Sequence, residues 1–277
     1  MHKKNKLFNA IILAGDRGQS DPLLQRFNVP AKAFIKVDGT PMIARVTVAL
    51  ADSGFIKRIF LCGQNRHLFT QIEPVHELLK DNKLVWVQSE KGPSLSAYKA
   101  LKVSLRECPV VLTTCDHALL TKRHVQCFCY RTINIDSDIA IALARLETIK
   151  NRFPEIRRTF YRFRDGSYCS CNLFAFMNNR ALRAVQFWKN VESWRKRPLK
   201  IIQAFGWTWA LRYLFGQLTL QKALKRASHV VGCSLSAVTM DFPEIAIDVD
   251  TYEDWLFVER LLTDIKDLPS FDHTNKP

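Results

Sequence analysis

Residues 9–23, with the sequence NAIILAGDRGQSDPL, run from an apolar segment into a loop with two glycines, an arginine and two aspartates. The apolar run Phe8 to Leu13 is rich in isoleucine and predicts a first β-strand. Backbone N–H groups near Gly15 and Gly18 can form a nest for a phosphate, with Arg17 adding positive charge. The loop matches neither G-x-G-x-x-G nor G-x-x-x-x-G-K-[ST]. An ordinary turn is therefore an equal alternative at this stage.

The first half of the chain alternates strand-like and helix-like segments. Further strands are predicted at Arg58 to Cys62, Leu84 to Val87 and Pro109 to Thr114. Helices are predicted with Thr40 as N-cap and an end near Ser53, at Ile72 to Lys80, at Leu95 to Leu105, and after a Thr121 cap. This alternation is typical of an α/β protein with a largely parallel sheet. Ligands of such sheets gather at the carboxyl ends of the strands.

The second half departs from this regular order. A strand at Asp138 to Ala144 is followed by a hairpin with its turn at Asp165-Gly166, and strands are predicted again at Leu235 to Thr239 and Ile245 to Val249. A closing helix is predicted from Tyr252 to Ile265. We expect one domain, residues 8–265, with a helical insert at 178–232.

The insert 178–232 is strongly basic and aromatic. It holds eleven basic residues and one acidic residue, a formal charge of +10 out of +15 for the whole chain. Four of the six tryptophans also lie there, at Trp188, Trp194, Trp207 and Trp209. One interpretation is an interfacial helix on an anionic membrane surface. The alternative is that the aromatic residues pack the insert onto the domain while the cations are solvated, and no nucleic-acid-binding module is recognisable.

Cysteine spacing and hydropathy limit the classes of protein to which the chain is expected to belong. None of the eight cysteines forms a C-x-x-C pair, so they are expected to be buried thiols in a reducing compartment rather than zinc ligands or disulfides. No apolar run reaches the length that spans a bilayer, and the apolar run after Lys6 does not have the form of a signal peptide. We therefore expect a cytoplasmic protein, with peripheral contact at the inner face of the membrane as one option.

Charged residues near the strand ends indicate a cation and phosphate site. Lys32 follows the first loop and is placed to reach phosphates there, although most lysines are solvated surface charges. Asp116 ends a predicted strand, and Asp248 and Asp250 end another. Carboxylates that converge at one sheet edge suit Mg²⁺, which leaves positions for substrate phosphates and water. For Asp250 an N-cap of the last helix is equally compatible with the sequence, and Asp248 is able to face the other side of its strand.

Taken in order, four segments resemble the MobA-like NTP transferases, nucleotidyltransferases of the GT-A-like fold that include molybdenum-cofactor guanylyl- and cytidylyltransferases. The segments are AIILAGDRG at 10–18, KAFIKVDGTPMIARV at 32–46, CDHALLT at 115–121 and IDVDTYEDWLFVERLL at 247–262. The resemblance covers about residues 9–263. It implies a three-layer α/β sandwich with a Rossmann-like, mostly parallel sheet. Asp16 departs from it, because relatives commonly have a small residue in this position.

The resemblance also implies roles for individual residues. Lys32, Asp116 and Arg17 would be catalytic, with Asp116 and Asp250 as the ligands of Mg²⁺. Asn172 lies where relatives often hold the second substrate. The residues placed at the nucleotide are Leu13, Ala14, Gly15, Gly18, Lys32, Gln88, Gly92 and Ser94.

The implied reaction transfers a nucleoside monophosphate from an NTP to a phosphorylated small-molecule or lipid-precursor acceptor, with release of pyrophosphate. His117 is a candidate general base, and a structural role is the alternative. Two other functions are compatible with the sequence. A GT-A glycosyltransferase that uses a nucleotide sugar would also carry a D-x-D, as in Asp248-Val249-Asp250, and a nucleotide-binding protein without activity would tolerate the altered first loop.

Overall fold

The computed structural model describes residues 7–15, 21–194 and 198–267. Its strands are β1 Phe8–Ala14, β2 Lys36–Val37, β3 Thr40–Pro41, β4 Ile56–Gly63, β5 Leu84–Gln88, β6 Val110–Thr114, β7 Ile139–Arg145, β8 Tyr161–Phe163, β9 Gly166–Phe176 and β10 Leu235–Met240. Its α-helices are α1 Pro22–Phe27, α2 Met42–Ala51, α3 Arg66–Phe69, α4 Glu73–Lys80, α5 Pro93–Ser104, α6 Lys122–Ile133, α7 Leu146–Arg152, α8 Leu182–Trp194, α9 Pro198–Phe205, α10 Trp207–Leu214, α11 Leu220–Val231 and α12 Tyr252–Asp267. Short 3₁₀ helices lie at Lys32–Phe34, Asn179–Ala181 and Pro243–Ala246.

Eight strands form one mixed, mostly parallel sheet. The order is β10-β7-β9-β6-β1-β4-β5, with β8 paired to β9. The pairs of β1 with β4 and β6, β4 with β5, and β7 with β10 are parallel, whereas β9 runs antiparallel to β6, β7 and β8. The predicted α/β class with a mostly parallel sheet is confirmed.

Helices cover both faces of the sheet. Ile43 of α2, Val75 of α4 and Phe128 of α6 are buried against one face. Leu101 of α5 and Val185 of α8 are buried against the other. All seven residues of β1 are buried, because an interior strand with helices on both sides meets no water on either face. The result is the predicted three-layer sandwich.

The parallel register aligns the strand carboxyl ends at one edge. Leu13 of β1 is paired with Thr114 of β6, and Gly63 of β4 is paired with both Ala14 of β1 and Gln88 of β5. The loops that follow β1, β5 and β6 therefore leave the sheet side by side. Three predicted site residues follow these strands: Gly15 after β1, Gly92 after β5 and Asp116 after β6.

The predicted strand at Ile245 to Val249 is wrong. Residues Pro243–Ala246 form a 3₁₀ helix, and no strand is assigned to residues 247–250. Ile245, Ala246, Ile247 and Val249 are all buried, so this apolar segment packs on the core without forming a strand. The segment makes a single backbone bond to the end of β6, from Val249 N to Asp116 O at 3.0 Å, instead of a ladder.

The predicted N-cap at Thr40 is also wrong. Thr40 and Pro41 pair with Lys36 and Val37 as a small hairpin, and α2 begins at Met42. The turn residues Asp38 and Gly39 have φ of 51° and 74°. Two left-handed residues suit the tight turn of a two-residue hairpin. By contrast, the predicted Thr121 cap of α6 is confirmed. The predicted hairpin is present too, but its turn residues are Arg164 and Asp165, because Gly166 is the first residue of β9 and pairs with Phe163.

The segment 178–232 contains the Asn179–Ala181 3₁₀ helix and helices α8 to α11. Helix α8 packs on the sheet through Val185, which is buried. No residue of α10 or α11 is fully buried. This segment therefore contacts the sheet edge through α11, which lies against β10, and packs on α5 through α8, while α10 is largely exposed.

Candidate functional site

A lysine and two aspartates meet at the carboxyl edge of the sheet. Lys32 begins the first 3₁₀ helix, Asp116 follows β6, and Asp250 precedes α12. The Nζ atom of Lys32 lies 2.8 Å from Asp116 Oδ2 and 2.5 Å from Asp250 Oδ1. The ammonium group therefore bridges two carboxylates that are far apart in the sequence.

Local hydrogen bonds direct the Asp250 side chain into the site. The N-terminus of α12 is satisfied by Thr251 and Asp254, because Thr251 Oγ1 accepts from Asp254 N at 3.2 Å and Asp254 Oδ2 accepts from Thr251 N at 2.8 Å. This pair forms a reciprocal cap. The alternative in which Asp250 caps the last helix is therefore excluded, and its carboxylate bonds to Lys32.

Charge pairing overcomes burial in this cluster. Burial by itself would raise the pKa of Asp116, but the Lys32 ammonium outweighs it and holds that pKa below its ordinary value. Burial likewise disfavours the charged form of Lys32, but Asp116 and Asp250 raise its pKa above the ordinary value. Both groups are thus ionised at neutral pH, and the site holds a fixed cation between fixed anions.

The donor atoms fit a hard divalent cation. The second oxygen of Asp116, Oδ1, is buried and has no hydrogen-bond partner of normal geometry among the described residues. Carboxylate oxygens are the ligands that Mg²⁺ takes alongside substrate phosphates. Within residues 7–15, 21–194 and 198–267, no group of three or more His, Cys, Asp or Glu side chains is arranged around a metal position.

Asp248 lines the same cavity as Lys32 but bonds to different residues. Its Oδ1 is in close contact with Arg158 Nη1, its backbone oxygen accepts from Arg158 Nη2 at 2.7 Å, and its Oδ2 accepts from Asn172 Nδ2 at 2.6 Å. Asn172 has φ of 47°, a left-handed conformation that asparagine tolerates. Burial raises the pKa of Asp248 despite the opposing effect of Arg158. No sequence pattern singled out Arg158 as a residue near the site.

His117 is a buried structural residue in this arrangement. Its Nε2 donates to the carbonyl oxygen of Ile245 at 2.8 Å, and its Nδ1 lies 3.3 Å from the hydroxyl of Thr113. Burial lowers the pKa of His117 to about 4, so the ring is neutral at pH 7. The ring fixes the segment before Asp250, and this geometry does not support a role as general base.

A cavity of about 910 Å³ opens beside the lysine and the aspartates. The predicted site residues that line it are Leu13, Gly15, Lys32, Gly92, Asp116, Asn172 and Asp250. Three other predicted residues have different surroundings. Ala14 is buried in the core, Gln88 donates to the carbonyl oxygen of Gln64 at 2.7 Å, and Ser94 bonds to Glu192. Arg17, Gly18 and Asp16 lie outside the described residues.

Glu192 of α8 does not line the cavity, but it contacts two of the residues predicted at the nucleotide, Ser94 and Gly92. Its Oε2 accepts from the hydroxyl of Ser94 and from Ser94 N at 3.3 Å, at the N-terminus of α5. A Cβ atom on Gly92 would lie 2.7 Å from Glu192 Oε1, so the carboxylate packs directly on this glycine. In the sequence, Glu192 is distinguished only as the one acidic residue of the basic segment 178–232. Glu192 ties α8 to the loop that follows β5.

The mixed, mostly parallel sheet, with acidic residues at its carboxyl edge, is the architecture of the GT-A-like class of α/β proteins. Within this class the chain belongs to the MobA-like NTP transferase domain family, whose model it matches over residues 10–228. This membership supports nucleotidyl transfer as the reaction type.

Solved structures agree with this assignment. A hypothetical transferase from Thermus thermophilus is 26% identical, with a TM-score of 0.75 over 90% of this chain and 99% of that one. A putative glucose-1-phosphate thymidylyltransferase from Bacillus anthracis, 14% identical, shares the fold with a TM-score of 0.55 over 93% of this chain and 96% of that one. The comparison with curated proteins gives no match. In the part of the chain that the structure describes, no helix has the length and apolar character needed to cross a membrane.

Proposed function

We propose that the protein transfers a nucleoside monophosphate from an NTP to a phosphorylated acceptor and releases pyrophosphate. The observation that carries the proposal is the bridge from Lys32 to Asp116 and Asp250 at the polar end of a large cavity. Phosphoryl transfer is catalysed mostly by positioning and by charge stabilisation. A fixed cation and two carboxylates able to hold a second one suit that chemistry.

Each residue has a defined part in this proposal. Leu13, Gly15 and Gly92 line the cavity where the nucleotide would lie, and Arg17 and Gly18 belong to the same loop as Gly15. Asp116 and Asp250 would hold Mg²⁺, which when bound supplies positive charge to the triphosphate. Lys32 stabilises the negative charge that grows on the leaving pyrophosphate. Asn172 would contact the acceptor, because it lines the cavity and is held by Asp248.

The acceptor phosphate acts as the nucleophile. One of its oxygens attacks the α-phosphorus of the NTP, a new P–O bond forms, and the bond to pyrophosphate breaks. A phosphomonoester is already largely ionised near pH 7, since its second pKa is about 6. No side chain has to remove a proton, which agrees with the neutral, buried state of His117.

The geometry disfavours a glycosyltransferase that uses a nucleotide sugar. In such a reading Asp248 and Asp250 would form one D-x-D site. Here Asp248 bonds to Arg158 and Asn172, whereas Asp250 bonds to Lys32. The two carboxylates therefore bond to different side chains, although both line the same cavity.

The proposed function is tested by pyrophosphate release with ATP, CTP, GTP and UTP, each with Mg²⁺ and a set of phosphorylated acceptors. We expect release with one NTP only when an acceptor is present. A nucleotide at about 100 times its Kd should also stabilise the fold by roughly 2.7 kcal/mol, which thermal unfolding detects. Stabilisation without turnover would indicate a nucleotide-binding protein, and turnover of a nucleotide sugar without pyrophosphate would indicate a glycosyltransferase.

We further propose that α10 contacts an anionic membrane surface at the cytoplasmic side. Trp207, Leu211, Leu214 and Phe215 are exposed by 55%, 48%, 76% and 72%. Their spacing of four, three and one residues places them along one side of the helix. Exposed apolar residues in such a row are unusual for a surface that meets only water.

The charge around α10 complements anionic lipids. Lys200, Arg212, Lys222 and Lys225 are exposed on α9, α10 and α11, and the segment 178–232 has a formal charge of +10. An apolar row with cations on the neighbouring surface is typical of helices that lie in the headgroup region. This arrangement would keep the protein peripheral to the bilayer.

The double substitution Leu211→Glu with Phe215→Glu tests the membrane contact. We expect a drop of at least tenfold in binding to phosphatidylglycerol-containing vesicles, because burial of each apolar side chain contributes about 1.5–3 kcal/mol. Flotation measures the bound fraction. Val103→Glu, on α5, is the matched control, since Val103 is 49% exposed. Equal binding of the double variant and wild type, or failure of wild type to float, would refute the contact.

A further inference from the structure

The cavity beside the aspartates continues into an apolar groove. Its polar end holds Lys32, Asp116, Asp250 and Asn172. The rest of the lining includes a group of apolar side chains from β6, β7, β9, β10 and α8: Leu112, Ile139, Ile141, Phe174, Phe176, Ala184, Val185, Trp188 and Leu235. One continuous space therefore joins the proposed reaction centre to a hydrocarbon surface.

The strand register arranges the floor of the groove in rows. Leu112, Phe174 and Ile141 are paired across β6, β9 and β7. Side chains two residues apart on a strand lie on the same face. Two residues nearer the aspartates on β6 and β9 come the polar Thr114 and Asn172, so the floor changes from polar to apolar within one step.

A second apolar row lies deeper in the groove. Phe176 is paired with Ile139, which is paired with Leu235 of β10. The four residue steps from Asn172 to Phe176 span about 13 Å along β9. The groove therefore offers an extended apolar track that leads away from the reaction centre.

Helix α8 forms the roof over this track. Ala184, Val185 and Trp188 line the cavity from α8. Ile141 and Phe174, on interior strands of the sheet, remain only partly buried although a helix covers this face. Close packing would normally bury such side chains completely. The space between the sheet and α8 is therefore open beside Ile141 and Phe174, whereas Leu112, Ile139, Phe176 and Val185 form its buried walls.

We propose that this groove binds the hydrocarbon part of the acceptor, so that the second substrate is a phosphorylated alcohol with an alkyl or isoprenoid chain. This inference rests on the proposed function for the placement of the acceptor phosphate near Lys32. A sugar in the groove would leave its hydroxyl groups without partners along the two apolar rows, which is costly. A hydrocarbon chain meets only apolar side chains there.

The test is direct binding of ethyl, butyl, hexyl and octyl phosphate, each below its aggregation concentration, by isothermal titration calorimetry. We expect the Kd to fall by roughly fourfold for each added methylene until the groove is filled, as burial of one methylene predicts. The heat capacity change of binding should become more negative along the series. Glucose 1-phosphate should bind no more tightly than ethyl phosphate.

Ala184→Trp would fill the groove from the helix side. We expect this variant to bind octyl phosphate at least tenfold more weakly while ethyl phosphate binds as in wild type. Gln186→Trp is the matched control, because Gln186 is exposed on the same helix and does not line the cavity. Circular dichroism and thermal unfolding of both variants verify that they fold.

A Kd that does not depend on chain length, or unchanged octyl phosphate binding in folded Ala184→Trp, would overturn the inference. Tighter binding of glucose 1-phosphate than of octyl phosphate would also overturn it. Failure of the proposed function looks different. In that case the chain-length dependence is present, but no NTP releases pyrophosphate with any alkyl phosphate.

Discussion

Asp116→Asn is expected to lower the rate of pyrophosphate release by about three orders of magnitude. The substitution keeps the shape of the side chain but removes its negative charge. The Asp116 carboxylate pairs with Lys32 at 2.8 Å through one oxygen, and its other, buried oxygen is suited to Mg²⁺. A bound cation contributes several kcal/mol to transition-state stabilisation in phosphoryl transfer. About 1.4 kcal/mol corresponds to a tenfold change in rate. The measurement is pyrophosphate release at saturating NTP and acceptor.

Asp81→Asn provides the control for the loss of one carboxylate. Asp81 is exposed next to Lys83 at the C-terminus of α4, and its substitution should leave the rate unchanged. Thermal unfolding of both variants separates a loss of catalysis from a loss of folded protein. Full turnover by folded Asp116→Asn would show that the assignment of Asp116 as a metal ligand is wrong.

Lys32→Met is expected to reduce the free energy of unfolding by about 3 kcal/mol. The side chains of Lys32 and Asp116 are only 13% and 16% exposed, so removal of the ammonium leaves a buried carboxylate without its counterion. Loss of one partner of a buried ion pair typically costs 3–5 kcal/mol. Asp250 is 60% exposed and adds little to this cost. Urea unfolding of the two proteins measures the difference.

Mg²⁺ should restore much of this stability. In Lys32→Met the two carboxylates have lost their own cation and are free to bind an added one, so magnesium chloride should raise the melting temperature more than in wild type. The rate of pyrophosphate release should nevertheless fall by about a hundredfold, because the charge on the leaving group is no longer stabilised by Lys32.

Lys36→Met is the matched control for this variant. Lys36 is an exposed lysine four residues along the chain, and its loss should change neither the stability nor the response to Mg²⁺. An equal magnesium response in Lys32→Met and wild type would contradict the idea that Lys32 and a metal share the two carboxylates. Sodium chloride at matched ionic strength excludes a general salt effect.

The sequence predicted site residues only where a local pattern marked them. Asp116 was recognisable because it directly follows a fully apolar strand, and Lys32 because it follows the first loop. Arg158 had no such signal, since its partner Asp248 is 90 residues away. The apolar segment from Ile245 to Val249 was misleading, because a short 3₁₀ helix and the residues after it bury apolar side chains in the core without pairing as a strand.

The apolar groove could not be predicted from the sequence for a related reason. Phe174, Ile141 and Trp188 each fit a conventional core position, and their hydrophobicity alone predicts close packing. Only the distance between α8 and the sheet decides whether these side chains fill the space or line it. That distance depends on how Glu192 and Val185 fix α8 against the rest of the fold.

The sequence by itself determined the α/β class, the mostly parallel sheet and the edge at which the site lies, because hydrophobic periodicity and turn residues act over a few neighbouring positions. Only the tertiary structure decided that Lys32 bridges Asp116 and Asp250, contacts that span 84 and 218 residues of chain. It also decided that Asp248 pairs with Arg158. The physical reason is that burial and charge pairing at these carboxylates depend on neighbours that only the folded chain brings together.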